Sequence, residues 1–471
     1  MPVAWGLLLS PIALLDVRHA GGRASFDQIL FHEHTIDAMA RTWPFLKLTY
    51  PDHFVAMTPG YQWLLAGVSR LTGMGDPGLR LVSLGFSVMG FGLLAMALGT
   101  RCGARRATLL LAPLMASVYV ANSGAWMLAD NAGWFWVGLL SLVALRTKND
   151  TRWALLAGLG LLLAVWTRQN LLFLALPIWA AAWMRPAPHG PKSLNPLVGI
   201  PTRVRTVAPV AMATIPAIAS IAYLYSVWGG LVPYEFQGQY DGANPSNIAL
   251  QLVMLAAFGV FFLPSIVGLG EPGGRQRLIE TIGRALPWIV LATVLAGLAA
   301  AAVPTTYAPT EGRAGLVWRI GLKLNPFGPI GHMSPVVVVM AAIGGGMLAL
   351  ILACLPGRQR WILGALFAGF GIAQGASSEV WQRYHEPFVL LFLAITTTMA
   401  VRARPQGAQR LPFLQWGPIA ALALVLAVLA TKLLWEREIS PWRQGADQTP
   451  FSSLLPEPPD GASSPGLTEP E

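Results

Sequence analysis

Residues 25–34, Ser-Phe-Asp-Gln-Ile-Leu-Phe-His-Glu-His, set four ionisable side chains directly behind the first apolar segment of the chain: Asp27, His32, Glu33 and His34. A carboxylate that reaches a substrate hydroxyl can accept its proton, and imidazole and carboxylate neighbours can orient the substrate or tune that group. A patch of this kind in an otherwise apolar chain is the first candidate for an active site.

The elements needed to hold these groups can be read locally. Ser25-Phe26-Asp27-Gln28 has the Ser-x-x-Gln form of a capping box, which predicts a short helix with Asp27 in its first turn, where free backbone N–H groups favour an anion. Ile29, Ile36, Ala40 and Trp43 recur at helical spacing, and Asp27 and His34, seven apart, share another face. A second helix is predicted from Thr58 as cap and Pro59 at the first helical position, with Tyr61, Leu64, Leu65, Val68 and Leu71 as its apolar stripe and Gly73 as its end. It is too short to cross a membrane, so it should lie in the interface. Asp27 could instead be only a helix cap, and His32 and His34 only local hydrogen-bonders.

Composition sets the class around that patch. Of the 471 residues 54% are hydrophobic and 11% charged, and uncharged apolar runs recur throughout, so the chain reads as an all-α polytopic membrane protein. About thirteen spans are expected, over residues 3–17, 79–99, 107–127, 131–145, 153–167, 171–184, 207–227, 248–269, 285–303, 335–355, 361–376, 387–401 and 412–434. The short pairs around Asn131 and Arg168 could each form one re-entrant unit. Residues 1–434 then form one membrane domain, with 18–78 as its long first outer loop, and 435–471, rich in Pro, Ser and Gly, as a disordered tail.

Alternate loops carry the arginines: Arg101, Arg105 and Arg106; Arg146 and Arg152; Arg185, Arg203 and Arg205; Arg275, Arg277 and Arg284; Arg358 and Arg360; Arg402, Arg404 and Arg410. They are expected to face the cytoplasm, which puts Asp27 outside. The net charge of +10 is thus a topology signal rather than a nucleic-acid footprint. Cys102 and Cys354 both fall at cytoplasmic helix ends, where no disulfide is expected.

Phe26-Asp27-Gln28-Ile29-Leu30-Phe31-His32, Met57-Thr58-Pro59-Gly60-Tyr61 and Leu79-Arg80-Leu81-Val82-Ser83 resemble the first luminal loop and second helix of C-type (GT-C) glycosyltransferases. The likeness is nearest to the eukaryotic dolichyl-phosphate-glucose-dependent α-1,2-glucosyltransferases. Aligned on the His, the Asp of that family's Met-Asp-Glu-Ile-Phe-His motif meets Gln28, and one inserted residue brings it to Asp27. Thr167-Arg168-Gln169-Asn170 is similar to the family's Arg-Gln-Thr-Asn, and Arg383-Tyr384 to an Arg-Tyr near the last spans.

The resemblance implies a GT-C-like bundle and an inverting hexosyl transfer from a polyprenyl- or dolichyl-phosphate sugar to a lipid-linked or envelope glycan, on the outer side of the cell (inner) membrane. Asp27 is then the base, with His32 and Glu33 beside it as catalytic candidates. Arg168, Arg383, Arg319 and Lys323 are candidates for the donor phosphate, and His34, Asp130, Tyr61 and Tyr384 for the substrate. No Asp-x-Asp occurs in the chain, so no metal or other cofactor is expected. Other readings stay open: Arg168 snorkelling to the interface, Arg383 paired with Glu379 or Glu386, and Asp130-Asn131 as a simple turn. At the level of the whole chain the alternatives are a lipid-saccharide flippase or transporter, or a lipid-linked polymer ligase.

Overall fold

The computed structural model describes residues 1–15, 23–146, 151–185, 197–240, 242–303, 305, 315–317, 320, 333–402 and 413–436. Arg319, Lys323 and the tail from residue 437 lie outside the described residues. Those described form helices and no β-sheet. They are α1 (Pro2–Ala13), α2 (Arg23–Asp27), a π-helical turn (Gln28–Glu33), α3 (His34–Thr42), α4 (Gly60–Thr72), α5 (Asp76–Cys102), α6 (Ala104–Met115), α7 (Val118–Ala125), α8 (Asp130–Ala144) and α9 (Thr151–Thr167). A 3₁₀ turn (Gln169–Leu174) leads into α10 (Ala175–Trp183), followed by α11 (Ile200–Trp228), α12 (Tyr234–Tyr240), α13 (Ser246–Val267), α14 (Gly274–Ala301), α15 (Pro335–Ala353), α16 (Gly357–Gly375), α17 (Gln382–Arg402) and α18 (Phe413–Leu434).

Every expected apolar segment falls on a helix, because a backbone surrounded by lipid must satisfy its own hydrogen bonds. Among the described residues seven helices are long and apolar enough to cross a membrane, which makes this a multi-pass membrane protein. The expected span over 107–127 is α6 and α7, bent by 82° at Ser117. That is the one sharply broken apolar pair among the described residues, rather than the segments around Asn131 and Arg168. At Arg168 the backbone is extended (φ −156°, ψ 126°) for a single residue between α9 and the 3₁₀ turn.

Burial orders the bundle. The apolar window of α17 is 94% buried and that of α14 only 11%, so α17 is the central post and α14 a peripheral helix packed on α15. Phe370 of α16 stacks on Phe388 of α17 with ring centroids 3.8 Å apart, and Phe367 meets the same ring at a tilt, 6.0 Å away.

The two ends of α17, roughly 30 Å apart at 1.5 Å per residue, face different surroundings. Its C-terminal end meets the arginine-rich turns, where Cys102 touches Thr398 and Arg101 donates to the carbonyl of Leu142. Cys102 and Cys354 are free thiols. The N-terminal end meets the loop built from α2, the π turn, α3 and α4.

That loop departs from the local reading in three ways. Ser25 lies inside α2, and Gln28 reaches away instead of back, so there is no capping box: the Gln28 carboxamide accepts from the N–H of Met127 and donates to Asp76. Asp27 is therefore the last residue of α2, not part of a first turn. Finally, the i→i+5 turn rotates less per residue than an α-turn, which separates Asp27 from His34: the first is buried and the second exposed. The second helix forms and ends at left-handed Gly73 (φ 70°), but Thr58 does not cap it; its hydroxyl donates to the Val165 carbonyl at 2.7 Å.

Candidate active site

Four successive residues opening α17 point to four places, as a 3.6-residue period requires. Arg383 and Tyr384 face the loop and α9. His385 bonds Asn247 of α13 at 2.8 Å. Glu386 accepts from Ser117 at the α6/α7 bend (2.7 Å) and from Gln382 one turn back (3.0 Å). Glu386 is thus occupied, and the partner of Arg383 is Asp27, 356 residues away, with Nη1 to Oδ2 at 2.9 Å.

Around Tyr384 a continuous network forms. Its hydroxyl accepts from Arg383 Nη2 at 2.8 Å and from Arg168 Nη2 at 3.0 Å, and both guanidinium groups lie over its ring, 4.9 and 4.7 Å from the centroid. Arg168 donates through Nη1 to Asp130, the first residue of α8. The order is Asp27, Arg383, Tyr384, Arg168, Asp130. Two guanidinium groups this close would repel, and a carboxylate on each plus a shared oxygen offsets that repulsion. Arg168 is a network member, not a snorkelling side chain, and Asp130 is more than a turn residue.

A cavity of about 610 Å³ opens beside this network, within the size range of small-ligand sites. Arg168, Arg383, Tyr384 and Tyr240 line one part of it. Leu172, Phe173, Leu176, Ile221, Ile372 and Ala373, from the 3₁₀ turn, α10, α11 and α16, make an apolar wall. Burial pushes the Tyr240 phenol up to about 12, so at neutral pH it carries its proton and can donate it in a hydrogen bond. Asp27 is not among the residues that line the cavity, but it pairs with Arg383, which is.

The remaining candidates sit apart from the cavity. His32 is buried, with Nδ1 3.1 Å from the Gln62 amide. Burial takes its pKa from 6.5 down to about 4, with the Asp27 charge opposing, so the ring is neutral near pH 7. Glu33 is half-buried in the same turn. His34 is exposed and bonds the Pro51 carbonyl at 2.9 Å. Tyr61 belongs to the core, its hydroxyl 2.6 Å from Ser83, and burial raises that phenol. The structure therefore joins Asp27, Arg383, Tyr384, Arg168 and Asp130, keeps His32 close behind them, and separates His34 and Tyr61 from them.

Two residues of the site had no prior role. Tyr240 enters from α12, after a loop whose sequence gives no hint of what it will face. Gln169 ties three segments together: its oxygen accepts from Thr58 N, and its nitrogen donates to the carbonyls of Ala56 and Leu231. Its place beside Arg168 was the available signal.

No family model matches the sequence, and a search of curated proteins finds no match. Among solved structures, ArnT from Cupriavidus metallidurans in the apo state is similar at a TM-score of 0.37 and 14% identity, over 93% of this chain and 88% of that one. The same protein bound to undecaprenyl phosphate gives a TM-score of 0.37 and 14% identity over 92% and 88%. Likeness at this level establishes neither a shared fold nor a shared function.

Proposed function

We propose that the chain is an integral membrane glycosyltransferase of the GT-C type, transferring a hexose from a polyprenyl-phosphate sugar to a lipid-linked or envelope glycan with inversion. The observation that carries this is the pair of arginines sharing Tyr384 at the head of an apolar cavity, with a carboxylate paired to one of them. Guanidinium forks suit a phosphate, and an apolar wall suits the isoprenoid tail behind it. The order of motifs along the sequence points the same way.

In the reaction, Arg168 and Arg383 hold the donor phosphate while Tyr384 keeps their planes in place, and Tyr240 offers a further hydroxyl beside them. The acceptor hydroxyl attacks the anomeric carbon from the Asp27 side. As that C–O bond forms, its proton passes to the Asp27 carboxylate. The bond from the anomeric carbon to the phosphate oxygen breaks, and its electron pair leaves with the polyprenyl phosphate. Inversion requires the acceptor oxygen and the departing phosphate to lie on opposite faces of the anomeric carbon, with Asp27 on the acceptor's side and Arg168 and Arg383 on the phosphate's. His32 and Gln62 support the first-loop wall behind Asp27.

The assay is consumption of a synthetic polyprenyl-phosphate hexose by the protein purified in detergent, with acceptor lipids from the parent membrane. Release of polyprenyl phosphate together with a glycosylated acceptor is the expected result. Movement of a lipid-linked saccharide across vesicles without its consumption would instead establish a flippase. The proposed orientation, with the Asp27 loop outside the cell membrane, is tested in a cysteine-free background by labelling Lys47→Cys and Arg105→Cys, both exposed. Labelling of both from one side would sink it.

A further inference from the structure

We propose that Asn170 and Gln374 form the sugar subsite of the cavity, exchanging hydrogen bonds with the hydroxyls of the transferred hexose while the arginines hold its phosphate. This rests on the reading of the cavity as a site for a polyprenyl-phosphate sugar.

Both residues line the cavity that Arg168, Arg383 and Tyr384 head. Asn170 stands in the 3₁₀ turn just beyond Arg168, and Gln374 in the last turn of α16, which packs on that 3₁₀ turn. Two carboxamides from distant parts of the chain thus reach one space.

Neither group is committed to the fold. Oδ1 of Asn170 is buried with no hydrogen-bond partner among the described residues. Gln374 is only 5% exposed, and its side chain makes no hydrogen bond to the described residues. The fold uses its backbone instead: the carbonyl accepts from Asn247 Nδ2 at 2.8 Å and from the N–H of Ser377 at 3.1 Å. Gln169 shows the contrast, because its carboxamide, between Arg168 and Asn170, is fully engaged with Ala56, Thr58 and Leu231. A buried polar group left unmade costs free energy, and a ligand that completes it recovers that cost.

The chemistry of these two groups selects the ligand. A carboxamide offers an acceptor oxygen and a donor NH₂, and a sugar hydroxyl both donates and accepts, so the two match in either orientation. An ionised phosphate oxygen only accepts, which suits the guanidinium forks and would leave the Asn170 oxygen unanswered. An isoprenoid chain can do neither and fits the wall of Leu172, Phe173, Leu176 and Ile372. Phosphate, sugar and tail then each find their own kind of lining. A site built to bond a hydroxyl rejects an analogue that lacks it, so Asn170 and Gln374 act as specificity-determining residues.

The test compares methyl farnesyl phosphate with glucosyl, mannosyl and galactosyl farnesyl phosphate, diesters of equal charge, on the full-length protein in detergent. The parent should bind at least one sugar ester on the order of tenfold more tightly than the methyl ester. Asn170→Leu and Gln374→Met, close in size to the residues they replace, should each remove most of that advantage and leave binding of the methyl ester unchanged, which also shows that the variant folds. In the parent, single-deoxy forms of the best-bound ester should lose the advantage at one or two ring positions, a readout that needs no variant. A parent that binds sugar and methyl esters alike, an advantage kept in both variants, equal weakening of both kinds of ester, or no loss with any deoxy form overturns the sugar subsite while leaving the phosphate site intact. Failure of the parent to bind any of the four esters overturns both readings.

Discussion

Where α17 begins, Arg383 and Arg168 meet carboxylates and share a tyrosine hydroxyl. Where it ends, Arg358, Arg101 and Arg203 reach backbone carbonyls instead, although Arg277 pairs with Glu271. There Arg358 donates to the carbonyls of Arg146 (2.7 Å) and Ala181 (3.1 Å), Arg101 to that of Leu142 (3.3 Å), and Arg203 to those of Val198 (2.8 Å) and Trp183 (2.5 Å). Those acceptors lie at or just beyond the last turns of α8 and α10 and before α11, where helices leave C=O groups unpaired, so a cation there fastens helix ends and favours their dipoles. A carbonyl is part of the backbone and has no substitute. A carboxylate partner is an ion that another ion can replace. Arg358, Arg101 and Arg203 therefore make a fixed end, and the Arg383 and Arg168 pairs an exchangeable one, on the same bundle.

The deepest break in that comparison is Asp27→Asn, which keeps the size of the side chain and removes the proton acceptor. Turnover should fall by roughly 10² to 10⁴ in protein that still folds, a far larger loss than the modest drop in melting temperature from leaving Arg383 without its carboxylate. If Asp27 served structure alone, Asp27→Asn would turn over normally and Asp27→Ala would lose stability.

Acid should loosen the exchangeable end. Burial lowers both His32 and His53 from 6.5 to about 4, so between these values the unfolded chain binds more protons than the folded one. Their contribution is complete above pH 6.5 and is lost as pH falls toward 4, with a ceiling of about 3 kcal/mol per ring. Apparent melting temperatures from pH 7.5 to 4 should drop through this window, and His53→Gln should flatten part of the drop. A flat profile in the parent would show that these rings do not titrate with unfolding.

Lysine at the exchangeable end keeps the charge and loses the fork. Arg383→Lys or Arg168→Lys should weaken use of the donor by about 1 to 3 kcal/mol in kcat/KM. Unchanged donor titrations in both would return them to the role of the arginines at the other end.

Gly369 lines the apolar wall, and a Cβ there would lie 3.1 Å from Leu176 Cδ1 and from the Phe173 carbonyl. Gly369→Leu should therefore narrow the wall and raise KM about tenfold for a long-tailed donor, with a smaller rise for a farnesyl one. Equal effects on both donors would put the tail elsewhere.

The smallest effect belongs to the fixed end. Arg358→Gln should cost about 1 kcal/mol of stability, as expected for loss of a charged helix-end contact, with kcat/KM unchanged. A large loss of turnover would mean that the two ends are not as separate as their contacts imply.

The helices were legible because their signal is local: each apolar run carries its own length and polarity. The two ends were legible in the same way, from the spacing of arginines between runs. Asp27, Arg168, Arg383 and Tyr384 could be singled out by type and context, but their pairing could not. Asp27 and Arg383 are 356 residues apart, and Glu379 and Glu386 stood nearer along the chain. Only packing shows that Glu386 is taken by Ser117 and Gln382. The capping box failed for a related reason, since a Ser-x-x-Gln spacing fits a helix start and a helix interior alike. Tyr240 gave no signal, because nothing about a tyrosine on a seven-residue helix says which cavity it will face.

The π turn has a consequence for reading relatives of this chain. A turn closing i to i+5 contains one more residue than a turn closing i to i+4, so it absorbs a single insertion without breaking the helix. Any column-by-column comparison with a chain lacking that residue slips by one across 28–33. Gln28 then stands in the column where an acid is sought, although its side chain is committed to Met127 and Asp76. The single-residue offset of Asp27 from the Met-Asp-Glu-Ile-Phe-His pattern is the offset such an insertion leaves. Under the proposed reading, an alignment should therefore allow a one-residue gap between the acid and the histidine.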